Sequence, residues 1–437
     1  MPHSLPHTKK NLKKLSFLVY GLGLTGISVI NYFEKKKISN FNTWDDNKKL
    51  RKKNNSKITH NLKISLKNSD YIVLSPGISL KNTKYKKDLK KFKHKIITDL
   101  DLLYICNLKS KTKTIVITGT NGKSTTCKIV DHLLKKNKYK TVIGGNIGTP
   151  ILNLNIKKNC YIVIEASSFQ LAYSKFICAD YALLLNITND HLDWHGSMKN
   201  YVNSKLKIFN LQRRNQYSII NKKFKKKFKK NNFSGKLIIP KLKNYIKIKP
   251  KIKNSYLKLN INDENMSNVL ELSKLLKINE KSFIRSLNTF VGLPHRYEIF
   301  LKRKNFTFIN DSKATSFQAT KFALRNTKNI FWIVGGLPKK NDRIDLKNLR
   351  NNITKSYIIG KNINFFKKQI KNKINYYVAK NIKNSIIQVL KDIKSLKRER
   401  NTILFSPAAA SFDQFKNFEI RGNEFKRLSK LYAKKFV

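Results

Sequence analysis

A chain of 437 residues is longer than one hydrophobic core organises, so two or three domains are expected. Hydrophobic residues make up 40% and aromatics 11%, which excludes a mainly disordered protein. Lys and Arg total 92 against 25 acidic residues, a net charge of +67; the excess is scattered lysine without an arginine- and aromatic-bearing reading module, so it reads as composition, and a nucleic-acid-binding protein is the competing class.

In chain order, Lys9, Lys10, Lys13 and Lys14 precede an apolar run from Leu15 to Ile30 that superficially resembles a secretory signal. Gly21, Gly23 and Gly26 interrupt it, and no other run approaches the roughly 18 apolar residues of a membrane span. Phe17 to Tyr20 reads as a buried strand, Gly21 to Gly26 as a glycine turn and Ile27 to Lys35 as the helix it opens. Strands at Phe41 to Trp44 and Tyr71 to Leu74, the latter followed by Ser75-Pro76-Gly77-Ile78, complete a Rossmann-type α/β pattern. The G-x-G-x-x-G spacing, with Asp45 and Asp46 about 20 residues on, fits a diphosphate at a helix N-terminus and does not single out a nicotinamide.

A β-branched strand at Thr114 to Thr118 runs into Gly119-Thr120-Asn121-Gly122-Lys123-Ser124-Thr125 and a helix. Backbone amides to wrap phosphate, a lysine to neutralise it and a hydroxyl for Mg²⁺ arrive in the order an ATP-binding loop needs. It departs from the Walker pattern, whose first glycine would stand at Ile117. Strands follow at Tyr161 to Glu165 and Ala182 to Ile187; Glu165, at a strand end, suits a metal ligand. His191 and His195 are four apart as in a helical zinc motif, but Leu192 stands where the zinc proteases need Glu. Nothing intrinsic selects Lys205 among so many lysines. The Lys-rich stretch from Asn221 to Asn260 reads as a surface excursion.

The pattern breaks around Gly292-Leu293-Pro294-His295, and strands at Phe306 to Ile309, Ile330 to Val334 and Thr402 to Phe405 open a third region. Asn310 to Ser316 and Ser406 to Ser411 are polar turns at strand ends, the second offering Ser411 and free amides either to a carboxylate or to simple helix capping. A final helix from about Asp413 to Lys434 places Phe418, Phe425, Leu428 and Leu431 at core spacing. Cys106, Cys127, Cys160 and Cys178 lack C-x-x-C spacing, which fits a reducing cytoplasm.

Together the strings Gly21 to Gly26, Ser75 to Ile78, Thr118 to Thr125, Gly145-Asn146-Ile147-Gly148, Ser167 to Leu171, Leu293-Pro294-His295-Arg296, Asp311 to Thr315 and Ser411 to Phe425 resemble the Mur ligases over nearly the whole chain, and within them the D-glutamate-adding branch. The resemblance implies three α/β domains: a Rossmann-like UDP-binding domain at 1–105, a central P-loop-type ATPase domain at 106–294 and a Rossmann-like amino-acid domain at 295–437. It implies a cytoplasmic, monomeric ATP-dependent ligase acting on UDP-N-acetylmuramoyl-L-alanine and D-glutamate through an acyl phosphate. Gly23, Leu24, Thr25, Asp45, Asp46, Ser75, Pro76, Gly77 and Asn146 would meet the nucleotide-sugar, and Gly119 to Thr125 with Asn265, Arg296 and Asp311 would meet ATP. Two Mg²⁺ ions would fall to Ser124, Glu165, His191 and a carbamylated Lys205, and D-glutamate to Thr315, Lys339, Ser411 and Phe418, with Lys313 near the transferred phosphoryl group. Glu264, Ser316 and Ala409 depart from the family's pattern. A sister ligase or a folylpolyglutamate-type enzyme is the alternative within the class.

Overall fold

The computed structural model describes residues 12–53, 57–81, 83–107, 111–146, 148–254, 256–339, 342–343, 345–396 and 400–434; Lys9, Lys10, Ile147 and Lys340 lie outside them. The chain divides into two compact units, residues 1–290 and 291–437.

The first unit carries two sheets. In one, β1 (Phe17–Tyr20) lies between β2 (Phe41–Trp44) and β3 (Tyr71–Leu74), with β4 (Ile96–Ile97) beside β3 and every pairing parallel. An all-apolar strand needs both faces covered, and all four residues of β1 are buried. The helix opened by the glycine turn spans Leu24–Lys35, starting before the expected Ile27 because Gly23, in extended backbone, serves as its N-cap.

The other sheet contains β5 (Lys113–Thr118), β6 (Thr141–Gly145), β7 (Tyr161–Glu165), β8 (Tyr181–Leu184), β9 (Tyr217–Ile220) and β10 (Lys236–Ile238), in the order β10-β9-β8-β5-β7-β6 and parallel throughout. β8 stops short of the expected Ile187, because Leu185 to Ile187 turn toward the phosphate loop. The Lys-rich stretch is more than a surface excursion: β10 extends the sheet, and Phe228, Tyr245, Ile248, Ile252 and Leu257 are buried. One apolar cluster joins Phe17, Val29 and Phe33 to Leu100, Leu103, Val116 and Ile162, so both sheets belong to one unit.

The second unit contains β11 (Glu298–Lys302), β12 (Phe306–Asn310), β13 (Ile330–Gly335), β14 (Ile353–Ile359), β15 (Tyr376–Lys380) and β16 (Asn401–Phe405), in the order β11-β12-β16-β13-β14-β15, with only β11 antiparallel. Its last helix spans Phe418–Ala433 and starts after the expected Asp413, since the Asn417 side chain caps it by accepting from the Ile420 amide. Phe425 and Leu428 are in the core, whereas Leu431 is exposed and Phe418 half-buried, so the expected core stripe is narrower than the spacing suggests.

Candidate active site

The loop after β5 ends in Gly122, which takes the left-handed conformation (φ 81°) as N-cap of the helix Lys123–Lys136 without a side-chain cap, leaving that helix start to an anion. A Cβ on Gly122 would lie 2.2 Å from Asn265 Nδ2, so glycine is required both by φ and by the asparagine above it. Asn265 Oδ1 is buried with no protein partner. Asn186 fixes the loop from β8, its carbonyl accepting from the Thr120 amide and its Oδ1 from the Asn121 amide, both at 2.8 Å. Lys123 Nζ donates to the carbonyls of Gly119 (2.9 Å) and Thr120 (2.8 Å), while Ser124 and Thr125 are buried at the helix start.

Lys205, in the helix Met198–Leu206, donates to the same Gly119 carbonyl at 2.7 Å and lies over the Tyr201 ring at 4.6 Å. Burial, reinforced by Lys123, pulls its pKa down to about 6 against Asp190 and Glu165. Glu165 closes β7 and is buried: Oε1 accepts from Asn146 Nδ2 at 2.9 Å, and Oε2 has no protein partner. An orphaned buried carboxylate oxygen is a site a cation satisfies. His191, at φ 53°, stands 3.3 Å from the Asp190 carboxylate and beside the Phe169 ring; His195 is buried against Ser168 Oγ at 3.0 Å, and burial draws its pKa down to about 4. The two histidines therefore occupy different environments. Among the described residues no three His, Cys, Asp or Glu side chains cluster to hold a metal. Mg²⁺ would thus draw on the Ser124 hydroxyl and Glu165 rather than on an acidic cage, and the open Glu165 oxygen fits it.

At the other glycine turn, Gly21 (φ 104°) approaches Ser75 so closely that a Cβ would lie 2.6 Å from Ser75 Cβ, and Ser75 Oγ donates to the Gly21 carbonyl at 2.8 Å. Asp45 accepts from the Leu22 and Asn47 amides, both at 2.7 Å. Asp46 accepts from Tyr20 Oη (2.6 Å), Trp44 Nε1 (3.2 Å) and Thr83 Oγ1 (2.8 Å). Asp45 is thus engaged in shaping the turn, and Asp46 in tying the end of β1 to Trp44 and Thr83. Leu24, Thr25, Pro76 and Gly77 line the same end of the sheet, Leu24 being 86% exposed. Asn146 is placed on Glu165, not on this turn.

In the second unit Asp311 is buried, accepting from Ser406 Oγ (2.7 Å) and the Tyr297 amide (3.1 Å); burial pushes its pKa up to about 7. Arg296 carries a buried Nε with no protein partner. Lys313 lies over the Phe418 ring at 4.9 Å. Ser411 is buried beside Ala410, which exchanges backbone hydrogen bonds with Leu337, two residues before the exposed Lys339. Thr315 is half-buried, and Ser316 caps the next helix by accepting from the Ala319 amide. Sequence reasoning missed Asn186, Tyr201 and Arg421 as parts of these sites. For Arg421 a signal existed: a charge at 421 shares a helix face with the buried Phe425 and Leu428.

Three α/β sheets, one of them ending in a phosphate loop flanked by two lysines and a buried carboxylate, define a nucleotide-dependent ligase of the kind the motifs suggest. Family models for the "Mur ligase middle domain" and the "Mur ligase MurD-like, N-terminal domain" match residues 117–282 and 15–97. UDP-N-acetylmuramoylalanine–D-glutamate ligase of Rickettsia felis is 35% identical over 99% of both chains, and that of Buchnera aphidicola 36% identical over 94% of this chain and 97% of its own. MurF ligase from Thermotoga maritima, solved with ADP, shares the fold (TM-score 0.55, 14% identity, 85% of this chain and 91% of that one), as does MurC from the same organism (0.55, 15%, 96% and 100%). The chain belongs to the Mur ligase family, alongside its UDP-N-acetylmuramoylalanine–D-glutamate ligases. Neither the nucleic-acid reading nor the sister-ligase alternative is favoured by these relatives.

Proposed function

We propose that the protein joins the carboxylate of UDP-N-acetylmuramoyl-L-alanine to the amine of D-glutamate at the expense of ATP. A carboxylate oxygen takes the γ-phosphoryl group and ADP leaves; the amine then attacks the acyl carbon, phosphate departs and the nitrogen gives up a proton. The observation that carries this reading is the convergence of Lys123 and Lys205 on one loop carbonyl beside the unpartnered oxygen of Glu165. Lys123 at the helix start neutralises a polyphosphate, leaving the loop carbonyls when phosphate oxygens offer a better acceptor, whereas the buried Lys205 amine serves as a metal ligand once carbamylated.

Lys123 and the amides of Gly119 to Thr125 hold the phosphates, and the family resemblance assigns Asn265, Arg296 and Asp311 to the nucleotide. Mg²⁺ would be held by Ser124, Glu165, His191 and Lys205, and would supply charge neutralisation on the transferred group. A largely neutral ε-amine is the form that adds CO₂, so the depressed pKa of Lys205 supports its carbamylation. The Gly21 to Gly26 turn, Asp45, Asp46, Ser75 to Gly77 and Asn146 serve the nucleotide-sugar; Thr315, Lys339, Ser411 and the Phe418 amide serve D-glutamate, and Lys313 the phosphoryl group. The family resemblance divides the chain into domains at 1–105, 106–294 and 295–437, where the compact units part at 290, and the enzyme acts as a cytoplasmic monomer.

ADP release by the purified protein is measured with each amino acid in turn and UDP-N-acetylmuramoyl-L-alanine as acceptor. Release is expected only with D-glutamate; turnover indifferent to it would sink the proposal.

A further inference from the structure

Arg421 is 2% exposed, yet forms no salt bridge with any described carboxylate. A guanidinium this desolvated ordinarily bonds an acid directly, whereas the Asp413 carboxylate acts on this one only through space. Here Nε donates to Ser312 Oγ (3.1 Å) and Nη2 to the Ser312 carbonyl (2.7 Å), while Nη1 is buried without a protein partner. Ser312 Oγ in turn donates to the Phe418 carbonyl at 2.9 Å. Both employed arms of a buried cation are therefore spent on one serine, and through it on the first residue of the last helix.

The approach is tight. A Cβ on Gly422 would come within 2.3 Å of His295 Nδ1 and 3.0 Å of Ser312 Cβ. The His295 carbonyl accepts from the Lys313 amide at 3.0 Å, and the Lys313 ammonium lies 4.9 Å from the Phe418 ring. The unused Nη1 lies beside Gly336, just past the carboxyl end of β13, where a Cβ would stand 3.2 Å from it. A rigid planar fork holds such a turn at a fixed distance and orientation, which a lysine in its place would not.

We infer that Arg421 is a positioning residue for the incoming amino acid: its fork locks the Ser312 turn onto the final helix and so fixes Lys313 relative to the Phe418 amide. This rests on the roles proposed above for Lys313 and Phe418. It assigns to a residue without direct substrate contact the task of keeping apart, at a set spacing, the groups that meet the phosphoryl and the carboxylate of D-glutamate.

Arg421→Lys keeps the charge and loses the fork. Steady-state ADP release by the full chain should show the KM for D-glutamate raised at least about tenfold, with the KM values for ATP and the acceptor within about twofold of wild type. A merely structural role would lower the active fraction, and hence kcat, at unchanged KM; that result overturns the inference. Ser312→Ala removes one of the two links and should raise the same KM by about threefold, and the double variant should fall short of the product of the two effects. Multiplying effects overturn the inference, and if Arg421→Lys does not fold, Ser312→Ala with an unmoved KM does so alone. Wild-type release without D-glutamate is measured first: release that ignores it defeats the proposed function, whereas D-glutamate-dependent release with unmoved KM values in the variants defeats only the role of Arg421.

Discussion

The two glycine turns of the first unit are built alike and closed by opposite kinds of side chain. Each follows a buried parallel strand and opens a helix without a side-chain cap. The Gly21 turn is closed by a carboxylate, Asp45 on the Leu22 amide, and by Ser75 on the Gly21 carbonyl. The Gly119 turn is closed by two lysines, Lys123 and Lys205, on the Gly119 carbonyl. Glycine spacing therefore specifies the turn, while its neighbours specify the ligand. An amide already taken by an aspartate offers little to a phosphate, and a carbonyl held by a lysine releases that lysine to one.

Four substitutions test this contrast. The largest effect belongs to the lysine-closed turn: Lys205→Ala should lower ADP release at least about a hundredfold, with partial recovery on adding a short carboxylate such as formate. An active variant without that addition refutes the carbamate. Next, Gly26→Ala sets a Cβ 1.8 Å from the Gly21 carbonyl oxygen, and thermal or denaturant unfolding should register a loss of about 3 kcal/mol or more. Gly23→Ala meets nothing within 4 Å and should leave stability within about 0.5 kcal/mol while raising the KM for the nucleotide-sugar; an unchanged KM would remove Gly23 from that site.

The last test concerns Asp99, which links the two halves of the unit by accepting from Gln170 Nε2, whose Oε1 accepts from the Ser167 amide just past β7. Burial pushes the Asp99 pKa up to about 6, against the hydrogen bond from Gln170. Between its ordinary value and that one the folded chain binds the extra proton, so the Asp99 contribution to stability falls as pH rises from about 4 to about 6 and levels off above. Asp99→Asn lacks this loss and should gain on wild type by about 1 to 2 kcal/mol across that window in urea titrations; a pH-independent difference would contradict the buried ionisation.

Much of the scaffold was legible because its strands are short, apolar and bounded by glycine or polar turns: β1, β2, β3 and β7 fall on the expected residues. Helix starts were less so. Gly23 and Asn417 act as N-caps through backbone and side-chain geometry that periodicity does not carry. The phosphate loop could be read from its order of residues, but Lys205 could not be picked from so many lysines; its burial and its contact with Gly119 single it out only in three dimensions. Asp45 and Asp46 were found by spacing, while their engagement with Leu22, Tyr20 and Thr83 depends on residues far along the chain. The stretch from Asn221 to Asn260 looked like solvated surface because its lysines conceal five buried apolar side chains at irregular intervals.

That stretch also ends the central sheet. β10 is a three-residue edge strand, Lys236–Ile238, preceded by the helix Lys225–Lys230 and followed by Leu242–Ile248. An open parallel edge is a template on which another chain can add a strand, and the usual safeguards are brevity and lysine. Both are present here, with Lys236 exposed on the strand itself. At this border the lysines supply the charge that opposes strand addition, and replacing them with neutral residues should raise light scattering of the purified protein at unchanged ADP release.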